Sequence, residues 1–320
     1  MTVPVPFDPE LVPALEALPY EPPLAPDTID HVRQTLRDTN PTLEAVITSL
    51  GVDIDAEEHL APGPEGAPDV ALTVLRPRGR GSGAAVFNIH GGGMVMDDRH
   101  ADHERLVPLV DALGVTAVTV EYRLAPEHPH PAPVEDCYAG LVWTIEHAAE
   151  LGFDPARLVV MGGSAGGGLA AGVSLLARDR GGPRIAGQML LCPMLDDRER
   201  TASAHQYEAV GTWQGPNNRF GWESLLQDAV GGPDVLAYAA PARAVDLTRL
   251  PPAFVEVGAA ELFRDEDVEY ASRIWAVGGQ AELHVWAGGY HGFERIAPDA
   301  AVSRAALDAR ESWLRRILSL

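Results

Sequence analysis

The fold is decided by the stretch RLVVMGGSAGGGLAAGVSLLA at residues 157–177. Residues 158–161 are apolar and partly β-branched, as in a buried strand, whereas residues 167–177 are rich in alanine, as in a helix. Between them, Gly162–Gly166 forms a G-x-S-x-G pattern, in which a sharp strand-to-helix turn exposes the serine hydroxyl. The helix N-terminus also favours negative charge that develops there. We therefore interpret Ser164 as a candidate nucleophile; the alternatives are a Gly-rich helix start or an anion-binding turn.

Outward from this turn, short apolar runs alternate with longer amphipathic segments. The predicted strands are Val70–Arg76, Ala84–His90, Val115–Tyr122, Arg157–Met161, Ile185–Leu191, Ala253–Gly258 and Ala281–Trp286. The predicted helices are Asp27–Asp38, Thr42–Leu50, Arg99–Leu113, Val134–Ala148, Ala165–Arg178, Glu266–Val277 and Ala300–Leu318. Strands that alternate with helices predict an α/β protein with a mainly parallel sheet covered on both faces. The length of 320 residues fits a single catalytic domain of this class.

Two regions do not follow this alternation. Residues 1–60 are acidic and rich in proline, and residues 199–233 are polar and aromatic with no strand signal. The second region lies between the strand that ends near Leu191 and the strand that begins near Ala253. We interpret it as a helical insertion over one end of the sheet.

The charge balance and the cysteines exclude several classes of function. The net charge is −22, so phosphate backbones and anionic lipids repel the chain, and we expect neither nucleic acid nor a membrane as partner. No apolar run approaches the roughly 18 residues of a membrane span, and the N-terminus lacks the basic and apolar regions of a signal peptide. We therefore expect a cytoplasmic protein. Cys137 and Cys192 form neither a disulfide framework nor a Cys-x-x-Cys site.

A second glycine-rich loop, His90-Gly-Gly-Gly-Met94, directly follows the strand predicted at residues 84–90. Consecutive glycines allow backbone N–H groups to turn inward together, as the stabilisation of an oxyanion requires. We expect Gly91, Gly92 and Ala165 to supply these amides, and we expect His90 to hold the loop by hydrogen bonds. The alternative is an ordinary loop after a strand.

The candidate base is His291, in the loop between the last predicted strand and the C-terminal helix. A loop at the carboxyl end of the sheet can bring an imidazole within reach of the serine hydroxyl. His100 and His103 lie near two aspartates, but no third well-spaced ligand accompanies them, so we expect no metal site.

The histidine requires a carboxylate partner that fixes its tautomer. The candidates after the strand at residues 253–258 are Glu261, Asp265, Glu266 and Asp267. The last three lie where a helix begins, a position that acidic residues favour for capping and for the helix dipole. Glu261 precedes that helix, so we expect Glu261 to face His291, with Asp265 as the alternative.

Six segments resemble one known family. They are HGGGM (90–94), YRLAPEHPHPAPVEDCYAGLVW (122–143), GGSAGG (162–167), WQGPNNRFGW (213–222), YAAPARAVDLTRLPPAFVEVGAAELFRDEDVEYA (238–271) and AELHVWAGGYHGF (281–293). Together they resemble the bacterial hormone-sensitive-lipase-like esterases and the related acetyl-hydrolase and arylacetamide-deacetylase-type α/β hydrolases. The resemblance runs from about residue 72 to the C-terminus, and the order Ser164, Glu261, His291 is that of α/β hydrolases.

The resemblance implies an eight-stranded sheet with a helical cap contributed by residues 1–60 and 199–235. It also implies hydrolysis of short-chain or aryl carboxylic esters, with no metal or diffusible cofactor. The family's oxyanion donors correspond to Gly91, Gly92 and Ala165. A homodimer through the sheet edge or the last helix is also known in such folds, although the sequence shows no apolar stripe for it.

Two positions depart from the family pattern. Many members have an acidic residue where this chain has Gly163, and most have aspartate where this chain has Glu261. The support that the first residue usually gives to the oxyanion loop would then be missing or come from elsewhere. The second change adds one methylene, which a shifted loop can accommodate.

We therefore expect a serine carboxylesterase that acts on a small-molecule ester through Ser164, His291 and Glu261. The apolar walls of the substrate site are expected at Met94, Trp213, Phe220 and Trp222, which could equally be core residues of the cap. The same residues would serve an amide, lactone or carbonate hydrolase or an acyltransferase. A second alternative is a non-catalytic relative that binds a small molecule, although such proteins usually lose the histidine.

Overall fold

In the computed structural model, which describes residues 3–19 and 23–320, eight strands form one sheet. The strands are β1 Ile54–Ala61, β2 Val70–Pro77, β3 Ala85–Ile89, β4 Thr116–Val120, β5 Leu158–Gly163, β6 Gly187–Leu191, β7 Ala253–Gly258 and β8 Ala281–Trp286. Their spatial order is β1-β2-β4-β3-β5-β6-β7-β8. Strand β2 is antiparallel to β1 and β4, and all other neighbours are parallel. The expected mainly parallel α/β sheet is confirmed.

Helices cover both faces of this sheet. They are α1 Val12–Glu16, α2 Ile29–Thr39, α3 Leu43–Leu50, α4 His103–Leu113, α5 Ala132–Glu146, α6 Ala165–Arg180, α7 Ala202–Gln206, α8 Gly215–Leu226, α9 Arg264–Ala276, α10 Phe293–Ile296 and α11 Ala301–Ile317. Successive side chains of β3 point to opposite faces. Phe87 lies in the core formed with α5 and α6, whereas Val86 lies in the core formed with α4 and α11. The two cores fix the sheet between its helical layers.

Strand β1 is the strand that hydrophobic periodicity did not predict. Its sequence is IDAEEHLA, and only its first and last residues are buried. It pairs with β2 along its whole length at the edge of the sheet, where charged side chains protect the free edge from other strands. Residues 54–60 were expected in the cap, and this boundary is wrong because they complete the sheet.

The carboxyl ends of the parallel strands meet at one edge, where ligands bind in open α/β sheets. The loops after β3, β5, β7 and β8 all emerge there. Segments of both regions assigned to the cap also reach this edge. Arg33 of α2 donates a hydrogen bond from Nε to the carbonyl of Val95 at 2.7 Å, and Thr212 Oγ1 donates to the carbonyl of His291 at 2.5 Å.

The two cap segments also contact each other. The amide of Leu24 donates to Asn217 Oδ1 at 2.9 Å, and the Tyr207 hydroxyl donates to the carbonyl of Val5 at 3.0 Å.

Across residues 3–19 and 23–320, no helix combines the length and apolar character that crossing a membrane requires.

Candidate active site

Ser164 lies at the turn between β5 and α6, with φ +56° and ψ −124°. A residue other than glycine is strained in this conformation, which persists because the surrounding packing enforces it. A Cβ at Gly162 would lie 2.2 Å from the Gly166 carbonyl oxygen, and one at Gly166 would lie 2.1 Å from the Ile89 carbonyl oxygen. Both positions therefore require glycine, and the backbone crossing they permit holds the Ser164 side chain at the carboxyl edge of the sheet.

A serine, an imidazole and a carboxylate form one hydrogen-bonded row. His291 Nε2 lies 3.0 Å from Ser164 Oγ, and His291 Nδ1 lies 2.5 Å from Glu261 Oε2. The side chains of His291 and Glu261 are 13% and 1% exposed. A carboxylate at Nδ1 keeps the ring proton on that nitrogen, so Nε2 is free to accept the proton of the serine hydroxyl.

The loop after β7 fixes Glu261 in this row. The amide of Gly258 donates to Glu261 Oε1 at 3.1 Å, which leaves Oε2 for the histidine. The amide of Ala260 donates to the carbonyl of Gly289 at 2.9 Å and so joins the acid's loop to the histidine's loop. The Phe263 ring packs edge-on against the imidazole at a centroid distance of 5.2 Å. Sequence reasoning did not single out Phe263, since nothing in its spacing indicates a contact with His291.

The other three candidate acids have different partners or none. Asp265 Oδ2 accepts from the amide of Ser203 at 2.8 Å, and Glu266 Oε1 accepts from the amide of Leu195 at 2.8 Å. Asp267 is buried, and neither of its carboxylate oxygens has a hydrogen-bond partner within the described residues. Burial, together with the nearby Glu266 and Glu261 carboxylates, raises the pKa of Asp267 well above its usual range. Among the four candidates, Glu261 is thus the carboxylate in contact with His291.

The glycine loop after β3 approaches the serine closely. A Cβ at Gly91 would lie 3.0 Å from the Gly163 carbonyl oxygen and 3.5 Å from the Ser164 Cβ. Gly92 has φ +91°, and a Cβ there would lie 2.2 Å from the Met96 carbonyl oxygen. Within the described ranges, the amides of Gly91, Gly92 and Ala165 donate to no other protein group. The structure therefore brings three unpaired donors to the neighbourhood of the serine.

His90 and Tyr122 hold this loop in place. The rings stack at a centroid distance of 4.1 Å, and His90 Nδ1 lies 3.0 Å from the carbonyl oxygen of Gly91. The Tyr122 hydroxyl donates to the carbonyls of His90 and Gly91 at 3.1 and 2.9 Å. Sequence reasoning did not single out Tyr122, because nothing in its local pattern indicates a contact with residues 32 and 31 positions earlier.

The four expected wall residues differ in burial and in their distance from His291. Met94 and Trp222 are fully buried core residues, and Met94 Cε lies 3.7 Å from the position of a Cβ at Gly168 of α6. Both side chains pack in the core, which the sequence had left open as the alternative, and their role as substrate walls stays a prediction. Phe220 is half-buried against the same core. Trp213 lies beside the row of Ser164, His291 and Glu261, which we call the triad, with its ring centroid 6.4 Å from that of His291.

One group of donor atoms in the described ranges has the spacing of metal ligands, and it overlaps the triad. Atoms of Cys192, Glu261 and His291 lie within 4.8 Å of one another. Burial and the neighbouring carboxylates raise the pKa of the Cys192 thiol well above its usual range, so the thiol is a poor ligand. At His100 and His103, the ring nitrogens are 3.4 Å apart, and burial and the neighbouring His100 ring lower the pKa of His103 to about 4.

The chain has several relatives of known name. It matches the alpha/beta hydrolase fold family over residues 86–295. It is 33% identical to esterase LipI of Mycobacterium tuberculosis over 92% of this chain and 91% of LipI. It is also 34% identical to carboxylesterase NlhH of Mycobacterium tuberculosis, over 94% of this chain and 95% of NlhH.

Solved structures give the same assignment. A bacterial heroin esterase superposes with a TM-score of 0.88 at 38% identity, over 98% of both chains. Esterase LipW of Mycobacterium marinum superposes with a TM-score of 0.86 at 29% identity, over 99% of this chain and 98% of LipW. The fold similarity extends over nearly the full length of each pair.

Proposed function

The chain belongs to the alpha/beta hydrolase fold family, in its hormone-sensitive-lipase-like branch, and is a carboxylic ester hydrolase; from this premise we propose that it cleaves short-chain or aryl esters through an acyl-enzyme on Ser164. The observation that carries the proposal is the row of hydrogen bonds from Ser164 Oγ to His291 at 3.0 Å and from His291 to Glu261 at 2.5 Å. This row is the geometry that activates a serine hydroxyl as a nucleophile.

In the acylation step, His291 Nε2 takes the hydroxyl proton while Ser164 Oγ forms a bond to the ester carbonyl carbon. The imidazolium is stabilised by Glu261 and then gives its proton to the leaving alcohol as the C–O bond breaks. Water, activated by the same histidine, releases the acid from the acyl-enzyme and returns the proton to Ser164.

The tetrahedral intermediate requires donors for its oxyanion. The unpaired amides of Gly91, Gly92 and Ala165 beside Ser164 support this role. Each such donor contributes roughly 10²–10³ in turnover. These donors are backbone amides, so a substitution at one of these residues keeps the donor. It is tolerated only where the new side-chain atoms fit.

The surroundings of the triad favour small acyl groups. A Cβ at Gly93 would lie 2.6 Å from the Trp213 ring, so the ring rests directly on the glycine loop. Trp213 and Phe263 both lie beside His291. We expect acetyl and butyryl esters to fit this space better than long acyl chains.

The alternatives from the sequence remain distinguishable by experiment. An amide, lactone or carbonate hydrolase or an acyltransferase would use the same residues, and no contact described above favours one of them. A non-catalytic binding relative fits poorly with a histidine bonded to both serine and carboxylate. The cytoplasmic location and the homodimer stay predictions.

The test measures hydrolysis of p-nitrophenyl acetate, butyrate, octanoate and palmitate and labelling by a fluorophosphonate probe. We expect turnover that declines beyond butyrate and one probe per chain. Ser164→Ala should abolish labelling and lower kcat by roughly 10⁴-fold or more, with an unchanged circular dichroism spectrum. No turnover on any ester would favour the binding relative, and hydrolysis by Ser164→Ala would exclude this serine as nucleophile.

A further inference from the structure

Five charged side chains lie buried directly behind the catalytic loops. We call them the buried ion network: Asp102, Arg105, Glu256, Glu294 and Arg310. They come from the first turn of α4 and the residue before it, from the end of β7, from α10 and from α11. Their side chains are between 3% and 14% exposed. None of them takes part in the reaction proposed above.

Glu294 joins the two arginines of this network. Arg310 Nη2 lies 2.8 Å from Glu294 Oε1, and Arg310 Nε donates to Glu256 Oε1 at 2.6 Å. On the other side, Arg105 Nη2 lies 3.7 Å from Glu294 Oε1, and Arg105 Nη1 lies 3.1 Å from Asp102 Oδ1. The network is therefore continuous from β7 to α4.

Two branches of the network end on the loops of the base and the acid. Glu294 follows His291 by three residues and lies in the first turn of α10, which closes the histidine's loop. Glu256 lies two residues before Gly258, whose amide holds Glu261. The second carboxylate oxygen of Glu256 accepts from Trp286 Nε1 at 3.2 Å, at the end of β8.

The third branch ends on the nucleophile's turn. A Cβ at Gly163 would lie 3.3 and 3.4 Å from the two terminal nitrogens of Arg105. Arg105 Nε and Nη1 are buried, and neither makes a hydrogen bond among the described residues. The contact of Nη1 with Asp102 is an ion pair without hydrogen-bond geometry. The guanidinium thus occupies the space beside the residue that precedes Ser164.

The charges of the network depend on one another. Burial by itself would raise the pKa of Glu294, but the Arg310 and Arg105 guanidinium groups hold it at about 2. Burial would likewise lower the pKa of Arg310, but Glu256 and Glu294 raise it above its usual range. Removing one partner would leave a buried charge uncompensated, which drives local rearrangement.

We propose that the buried ion network is a positioning device that sets the distances among Ser164, Glu261 and His291, with Arg310 as the residue that joins Glu256 to Glu294. This inference rests on the proposed function of the triad. Its physical basis is that the network contacts the loops of all three residues. These residues are far apart in the chain, with 30 positions between Glu261 and His291 and 127 between Ser164 and His291, so the chain alone does not hold them together. A displacement of about 1 Å in such a site can cost about a hundredfold in rate.

The experiment compares Arg310→Met, which removes the charge at similar length, with Arg310→Lys, which keeps it. Arg315→Met is the matched control, because Arg315 lies on the same helix in an exposed pair with Glu311 at 2.8 Å. Hydrolysis of p-nitrophenyl butyrate is measured well below each melting temperature, and fluorophosphonate titration counts the competent sites.

We expect Arg310→Met to lower kcat per titrated site about ten- to a hundredfold with KM within twofold. Arg310→Lys should recover most of the loss, and Arg315→Met should stay within twofold of the parent enzyme. Three results would each overturn the proposal. They are a kcat for Arg310→Met within twofold of the parent enzyme, a KM for Arg310→Met that rises as much as its kcat falls, and a kcat for Arg310→Lys no higher than that for Arg310→Met.

If Arg310→Met does not fold, Glu294→Gln is measured in the same way, because it keeps the shape of the side chain and removes only its charge. A fall in kcat of at least fivefold at constant KM would support positioning, and a smaller change would contradict it. Failure of the proposed function is distinguishable, since the parent enzyme would then show no ester turnover or no label on Ser164.

Discussion

The floor of the site and the segments that cover it are held by different means. The floor is built from strand ends whose backbones cross so closely that a Cβ at Gly162 or Gly166 would lie 2.1–2.2 Å from a carbonyl oxygen. The segments proposed as the cover, residues 199–235 and the N-terminal segment, meet the floor through side-chain contacts, such as the Trp213 ring against Gly93, and through hydrogen bonds such as that from Thr212 to the carbonyl of His291. The floor therefore tolerates little change, whereas we expect the cover, which depends on side-chain contacts, to vary more and to set selectivity.

The largest effect is expected where the floor holds the acid. Glu261→Gln keeps the shape of the side chain, but its amide can present an N–H to His291 Nδ1 and select the wrong tautomer, so kcat should fall roughly 10³–10⁴-fold. Asp265→Asn is the matched control, because Asp265 bonds to Ser203 and not to His291. Steady-state kinetics on p-nitrophenyl butyrate measure both, and a larger loss in Asp265→Asn would reverse the assignment of the acid.

The second prediction compares two neighbouring glycines of the floor. A Cβ at Gly162 meets backbone within 2.2 Å, whereas a Cβ at Gly163 meets only the end of the Arg105 side chain at 3.3 Å. Gly162→Ala should lower the free energy of unfolding by about 1–3 kcal/mol and activity about a hundredfold. Gly163→Ala should change activity less than about threefold. Urea unfolding and kinetics provide the measurement, and equal effects would show that the turn is not set by this close approach.

The smallest effect is expected in the cover, as a change of preference. Trp213→Leu removes the ring that rests on Gly93, so the ratio of kcat/KM for octanoate to that for acetate should rise about tenfold. Trp222→Leu is the control, because Trp222 is buried in the core of the same insertion and should lower stability without changing that ratio. Ratios are independent of the folded fraction, and an unchanged ratio in Trp213→Leu would remove this residue from the acyl site.

Much of the fold was predictable because its signals are local. The run at residues 158–177 contains the strand, the turn and the helix, and the structure has β5, Ser164 and α6 in this order. Strand β1 was missed because an edge strand exposed on both faces shows no alternation of apolar residues. Helix α4 begins four residues later than expected, since the Asp98 side chain accepts the amide of His100 and favours a turn there.

Less of the site was predictable, because its contacts join distant parts of the chain. Glu261 and Asp265 are both acidic residues just after β7, and only the 2.5 Å contact between Glu261 Oε2 and His291 Nδ1 shows which one reaches the histidine. Met94 follows the glycine loop, and the sequence left open whether it lines the substrate site or packs in the core; in the structure its φ is +64° and its side chain is fully buried. The position of Glu261 before α9 favoured it, but local sequence could not exclude Asp265 and could not show where the Met94 side chain packs.

The sequence alone was enough to predict the class of the fold and to propose the nucleophile and the base, because a β-to-α change of period and a glycine-dependent turn are properties of neighbouring residues. Only the tertiary structure decided which carboxylate completes the row, which aromatic ring covers the triad, and that Arg105 and Arg310 meet at Glu294 behind it. These depend on contacts between segments separated by tens to hundreds of residues. Such contacts form only when the sheet brings its strand ends to one edge.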